Sequence, residues 1–320
     1  MKKLFIAMLA VAAVTACAKD EAISIDRQAI GFGNPFVENS TRATEAVEAT
    51  DPSYGAVTFN KFQVWGTANG VAIYAGEDVT GTVGSNIVDG KETNLWTCSK
   101  KNYWIKDVKY NFAGVANGKV ETLGDDKLPA TISYTANGTS DLIYAKSAEM
   151  IGQPAGSNVP VALTFDHLLA KVKFTATTNT NIAGYSYTIS DITINNAYDS
   201  GVYTVNGGTW GTLVKTNGQS FGNITVDKDA QSSECAQEKL LIPIAIADKV
   251  TISCTITLNF NGEKIWEQAY TDSNAIVVDT ALAAANAYNF TIACNVGEEI
   301  KFSVVENADW TDNADTPIIQ

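Results

Sequence analysis

The stretch Lys249–Tyr270 reads KVTISCTITLNF-NG-EKIWEQAY, and it decides the fold. Val250, Ile252, Cys254, Ile256 and Leu258 alternate with Thr, Ser and Asn. That period of two places one row of side chains toward a core and the other toward water. Asn261-Gly262 supplies a pair that tolerates left-handed backbone, and EKIWEQAY resumes the strand pattern. Asn-Gly between two such runs is the strongest short-range hairpin signal.

Working outward, the same grammar repeats. Strand-like runs occupy 57–65 (VTFNKFQVW), 141–147 (DLIYAKS), 170–177 (AKVKFTAT), 185–194 (YSYTISDITI) and 287–296 (AYNFTIACNV). Turn signals stand between them: ANG at 68–70 and 136–138, NGG at 206–208, TNG at 216–218 and NVGEE at 295–299. The one helical expectation is short, Thr280–Ala287 (TALAAANA). Many short strands with no long helix predict an all-β protein built of antiparallel Greek-key sandwiches. At 320 residues the chain has room for two in tandem. The expected seam lies at 148–160, AEMIGQPAGSNVP, which is rich in Pro and Gly and poor in periodicity.

The N-terminus has the form of an export signal. Lys2 and Lys3 precede an apolar run from Leu4 to Val14, and Val14–Cys17 (VTAC) follows. The run is too short for a permanent span. Small residues ending in Cys resemble a bacterial lipoprotein box, with Cys17 as the lipidated residue. An exported chain can form disulfides, but Cys98, Cys235, Cys254 and Cys294 show no CxxC or Cys/His cluster, so no zinc site is expected. Small buried hydrophobes and one cross-strand disulfide are the two readings open for them.

Charge sets further bounds. The net charge is −13, and beyond residue 42 there are 17 lysines against 31 acids. Such a body repels phosphate backbones, which sets nucleic acid aside. Arg42, in ENSTRATEAVEATD (38–51), is the last arginine in the chain. That segment is polar, lacks aromatics and reads as an exposed link open to a protease. An arginine-selective enzyme would find Arg27 and Arg42 and nothing after them. Ahead of the link, Ile23 and Ile25 share one strand face, as do Ile30 and Phe32; the parity changes between the pairs, so one strand would need a bulge at 27–29.

No residue cluster marks an enzyme. His167, the only histidine, sits among apolar neighbours in FDHLLAKVKF with neither a nucleophile nor an orienting group in motif. No GxSxG or HExxH occurs. The acidic turns GDD (124–126) and DKD (227–229) lack calcium-loop spacing, and no metal or cofactor is expected. Trp96, Tyr103, Trp104 and Tyr110 could form a sugar platform, or could be core.

The lipoprotein box, the strand ahead of STRAT, the block VALTFDHLLAKVKFTAT (161–177) and the ending IKFSVVENADW (300–310) together resemble the fimbrillin family, the subunits of type V pili. The resemblance implies two stacked β-sandwiches exported as an outer-membrane lipoprotein. It implies that an arginine-specific protease cuts between Arg42 and Ala43 and removes the strand carrying Ile23, Ile25, Ile30 and Phe32. The C-terminal strand of another copy, or of a related pilus subunit, then fills the groove, and the fimbria serves adhesion to a host or bacterial surface. The expected division is 1–16 signal peptide, 17–42 propeptide, 43–155 first sandwich and 156–320 second sandwich with the donor segment. Ile300, Phe302 and Val304 alternate as a donor strand should, but NVGEE could fold them back as a local hairpin. Trp310, Ile318 and Ile319 are then the anchors. Burying four apolar side chains is worth about 6–12 kcal/mol before ordering costs, and head-to-tail contacts that do not close build filaments. The rival readings are an anchored lipoprotein that binds glycans and a secreted β-sandwich glycoside hydrolase.

Overall fold

A computed structural model describes residues 28–33, 36–37, 61–81, 87–88, 91–92 and 96–307. Among them there is no α-helix, and the only helical pieces are the three-residue 3-10 turns Ile246–Asp248 and Asp272–Asn274. The all-β expectation holds, and most strand pairs are antiparallel. Strands are numbered in chain order.

The largest sheet has eight strands. Its path runs from β1 (Phe36–Val37) through β12 (Thr164–His167), β10 (Ile143–Lys146), β7 (Lys109–Ala116), β2 (Lys61–Ala68) and β3 (Val71–Thr80) to β6 (Thr97–Cys98); β11 (Met150–Ile151) also pairs with β7. This sheet is buried on both faces at its centre. Phe112 of β7 belongs to one apolar cluster with Phe62, Tyr74 and Phe165, while its neighbours Ala113 and Val115 belong to a second. Two-sided burial shows in β2 and β7, where consecutive residues, Val64–Thr67 and Phe112–Ala116, are buried.

A four-stranded sheet joins the halves of the chain. β8 (Lys119–Leu123) and β9 (Pro129–Thr135) lie beside β15 (Ser200–Thr204) and β16 (Thr209–Val214), with β9 and β15 directly paired, Tyr134 opposite Gly201. A boundary between 155 and 156 is thus crossed by the pairs β9–β15 and β10–β12.

The remaining core packs between two five-stranded sheets. One holds β13 (Ala170–Thr177), β18 (Ser232–Glu234), β19 (Lys239–Leu241), β23 (Ala287–Ala293) and β24 (Lys301–Asn307), with β24 at one edge. The other holds β14 (Tyr185–Ile194), β17 (Gln219–Asp227), β20 (Val250–Phe260), β21 (Glu263–Tyr270) and β22 (Ile276–Val278), with β21 at one edge. β4 (Ile87–Val88) and β5 (Lys91–Glu92) form a separate pair. Phe174, Phe290, Ile189, Ile252 and Ile256 fill the space between the two five-stranded sheets.

The opening hairpin forms as read. Phe260 pairs with Glu263, and Asn261 and Gly262 take φ of 51° and 86°, the left-handed pair that matches strand twist. Three expectations are corrected. Two pairs are parallel, β1 with β12 and β13 with β23. The segment 280–287 is not a helix: Leu282 exchanges backbone hydrogen bonds with Ile244 at 2.9 and 3.0 Å and is fully buried, and Ala285 has φ of 62°. Eight alanine-rich residues cannot nucleate a helix that outweighs such packing. Cys98, Cys235, Cys254 and Cys294 are free thiols, so the cross-strand disulfide is absent; Cys254 and Cys294 are small buried hydrophobes, as is Cys235, whereas Cys98 is half-buried.

Candidate functional site

The path of the large sheet ends at β1 on one side and β6 on the other. Residues 28–33 lie next to both ends. On one flank the segment runs antiparallel to 96–104: Ala29 bridges Tyr103 and Phe32 bridges Trp96. On the other it runs parallel to 161–165, with Phe32 bridging Val161 and β1 pairing Phe36 with Thr164. The segment therefore closes the sheet into a cycle, like the last stave of a barrel.

The backbone bonds are well formed. Trp104 N–H donates to Gln28 O at 2.9 Å, Ile30 N–H to Asn102 O at 2.9 Å, and Trp96 N–H to Phe32 O at 3.1 Å. Opposite them, Gly33 N–H donates to Val161 O at 2.9 Å and Val161 N–H to Gly31 O at 2.8 Å. Gln28 adds a side-chain clamp. Its Oε1 accepts from Gly156 N–H and Asn158 N–H at 3.0 and 2.9 Å, and its Nε2 donates to Asn158 O at 2.6 Å. The Pro/Gly-rich stretch 148–160 thus latches the segment's start.

Ile30 and Phe32 share the inner face, as their spacing predicts, and both are buried. The Phe32 ring stands edge-on to Phe62, Tyr74 and Phe112, with centroids 5.9–6.0 Å apart. Burial also pushes the Tyr74 phenol up to about 12, a sign of how little water reaches this pocket. Each of the two side chains contributes about 1.5–3 kcal/mol through burial. Ile23, Ile25, Cys17, Arg42, Ala43, Trp310, Ile318 and Ile319 lie outside the described residues.

Ile300, Phe302 and Val304 are placed by the local hairpin. β24 pairs antiparallel with β23 from Lys301↔Ala293 to Asn307↔Ala287. Val304 is buried, and Phe302 meets the Tyr270 ring at 5.2 Å. Giving up this strand would uncover β23.

His167 is a buried core residue whose Nδ1 lies 2.5 Å from Asp141 Oδ2. Trp96, Trp104 and Tyr110 are core, the packing reading of the two open for 96–110; of these four aromatics Tyr103 alone is exposed. The GDD and DKD segments are turns: Asp126 accepts from Leu128 N–H at 3.1 Å, and Asp227 from Asp229 and Ala230 N–H at 2.8 Å. Among the described residues no group of three or more His, Cys, Asp or Glu side chains could hold a metal ion.

The pattern that defines the fimbrillin-like family matches residues 41–310. The chain belongs to the fimbrillin-like family. This fimbrillin-like protein is similar in fold to a fimbrial protein from Bacteroides vulgatus, with a TM-score of 0.58 at 16% identity over 89% of this chain and 100% of that one. It is also similar to a candidate cell adhesion protein from Bacteroides ovatus, with a TM-score of 0.50 at 16% identity over 90% and 99% of the two chains. No curated protein matches it. The segment latched by Gln28 was foreseeable only as a strand. Its two partners lie far along the chain, and no local pattern names them.

Proposed function

We propose that this fimbrillin-like protein is a structural subunit of a cell-surface fimbria, made of tandem Greek-key sandwiches and polymerised by strand exchange. In this reading it is exported as a lipoprotein on Cys17 and held at the outer membrane until an arginine-specific protease cuts after Arg42. The first sandwich spans about 43–155 and the second 156–320, and the filament serves adhesion.

The observation that carries the reading is the position of residues 28–37 as a stave between 96–104 and 161–165. Removing it leaves two facing sheet edges with unpaired N–H and C=O groups, and an apolar slot where Ile30 and Phe32 were. An incoming strand satisfies both: backbone bonds hold it and alternate side chains fix its register. β24 is already engaged with β23, so the tail beyond Asn307, with Trp310 and Ile318 on one strand parity, is the proposed donor.

Arg42→Ala tests the processing step. The variant is expected to stay lipidated, monomeric and membrane-bound, with Cys17 at its mature N-terminus and not Ala43. Filaments of ordinary length from that variant, seen by electron microscopy, would refute it.

A further inference from the structure

An open cleft of about 420 Å³ lies at the margin of the two five-stranded sheets, between edge strand β21 and the turn that enters β24. Its size falls in the range of small-molecule sites, about 300–1,000 Å³. One wall is a cross-strand rung. Tyr187 of β14 pairs with Leu258 of β20, which pairs with Trp266 of β21. The three therefore stand side by side on one sheet face. Tyr187 is buried, whereas Trp266 keeps 41% of its surface exposed. The packing of Tyr270 against Phe302 marks where the opposite sheet closes over this face.

The other wall is polar. Gln268 follows Trp266 on the same face of β21, and Glu298 and Glu299 line the cleft from the turn before β24. Glu298 is fixed in place: Asn295 Nδ2 donates to it at 3.1 Å and Lys301 Nζ at 3.2 Å. Those two bonds, Asn295 first, hold its carboxyl below the usual range. Glu299 has no hydrogen bond or ion pair among the described residues, so its oxygens are open acceptors.

We infer that this cleft binds a neutral carbohydrate, one or two sugar rings at the end of a glycan. The apolar face of a pyranose stacks on the exposed indole of Trp266. Sugar hydroxyls donate to the Glu298 and Glu299 carboxylates, and the Gln268 amide can both donate and accept. Charge decides against two other occupants. The chain's own tail, 308–320, carries Asp309, Asp312 and Asp315 and no basic residue, so the carboxylates repel it. A cationic peptide finds Glu298 already compensated by Lys301 and is left with Glu299 alone. On a filament the site would be repeated along the fibre, and weak single-site affinity would become avidity.

The site does not depend on strand exchange, so it is tested on the full-length monomeric chain. The probes are immobilised neutral oligosaccharides ending in galactose, mannose, glucose or N-acetylglucosamine, with a pentalysine peptide as the contrast. Expected is binding to at least one glycan series that is insensitive to salt. It should fall about tenfold or more in Trp266→Ala and in Glu299→Ala, and survive largely in Trp266→Tyr. Circular dichroism that matches the parent shows that the variants fold. Overturning results are no glycan bound, glycan binding unchanged in folded Trp266→Ala, or preferential, salt-sensitive capture of pentalysine.

Discussion

The rings of Phe32 and Phe112 meet edge-on, with centroids 6.0 Å apart and planes at 86°. This contact ties the segment 28–33 to the centre of the eight-stranded sheet. Phe32 is one buried ring among several aromatic neighbours. Phe32→Ala in the uncut chain removes a ring that the surrounding rigid strands cannot replace. The expected loss is about 3–5 kcal/mol, read as a fall in the urea midpoint with an unchanged slope.

Cleavage after Arg42 followed by loss of the N-terminal peptide should strip protection from particular amides. Trp96, Trp104 and Val161 each donate a backbone hydrogen bond to residues 28–33. Hydrogen exchange at these three positions should accelerate on peptide release, while β14 and β20 amides keep their rates. A trimmed chain in which all three remain protected would mean that another segment seals the edge within the same molecule.

Asp141 and His167 form a buried pair on β10's approach and β12, with the two side chains 4% and 2% exposed. The pair joins the core at the point where β12 pairs with β10, and it offers no route for a substrate. Asp141→Ala removes the carboxylate beside the buried Nδ1 and should destabilise the fold by about 1–3 kcal/mol. Thermal unfolding of the variant checks this. A change of under about 0.5 kcal/mol, the usual range for surface sites, would sink the structural role assigned to the pair.

How much of this was legible in the sequence depends on distance along the chain. The runs 170–177, 185–194 and 263–270 coincide with β13, β14 and β21 residue for residue. Their β-branched alternation and the Asn-Gly turn are local signals. Parallel pairing of β13 with β23 leaves no such mark, because the two strands lie over a hundred residues apart and share no turn. The alanine-rich neighbours of Leu282 suit a helix, while its bridge to Ile244 is non-local and leaves no mark in the sequence around it. The cleft at Trp266 is illegible in sequence for a related reason. Every residue of β21 before Tyr270 is exposed, and only the point where the opposite sheet stops makes that strand a wall.

Alkaline pH should weaken the second half of the chain. Burial pushes the thiols of Cys254 and Cys294 up to about 12, and the Cys254 thiol adds to the effect on Cys294. An unfolded thiol titrates near about 8.5. Above that pH the unfolded chain releases these protons and the folded chain retains them. The contribution is therefore full below about pH 8.5 and is lost as pH rises toward about 12. Urea midpoints at pH 8, 10 and 11 should fall steadily, and the Cys254→Ala, Cys294→Ala double variant should show a shallower fall. At pH 8 a thiol reagent should leave both cysteines unmodified until the chain unfolds.

The two candidate donor segments separate by deletion. β24 ends at Asn307 and is bonded along its length to β23, with Val304 buried among the core side chains. Removing Thr311–Gln320 leaves that strand whole, so thermal stability of the monomer should stay within about 0.5 kcal/mol of the parent, as for surface changes. Assembly should fail, because a trimmed acceptor has no strand to receive. Val304→Asp should do the opposite: an unpaired charge in the core unfolds the second half before any effect on polymers can be read. Undiminished ladders of oligomers from the deletion, on a gel of unheated samples, would move the donor role back to residues 299–310 and require β24 to leave β23 during assembly.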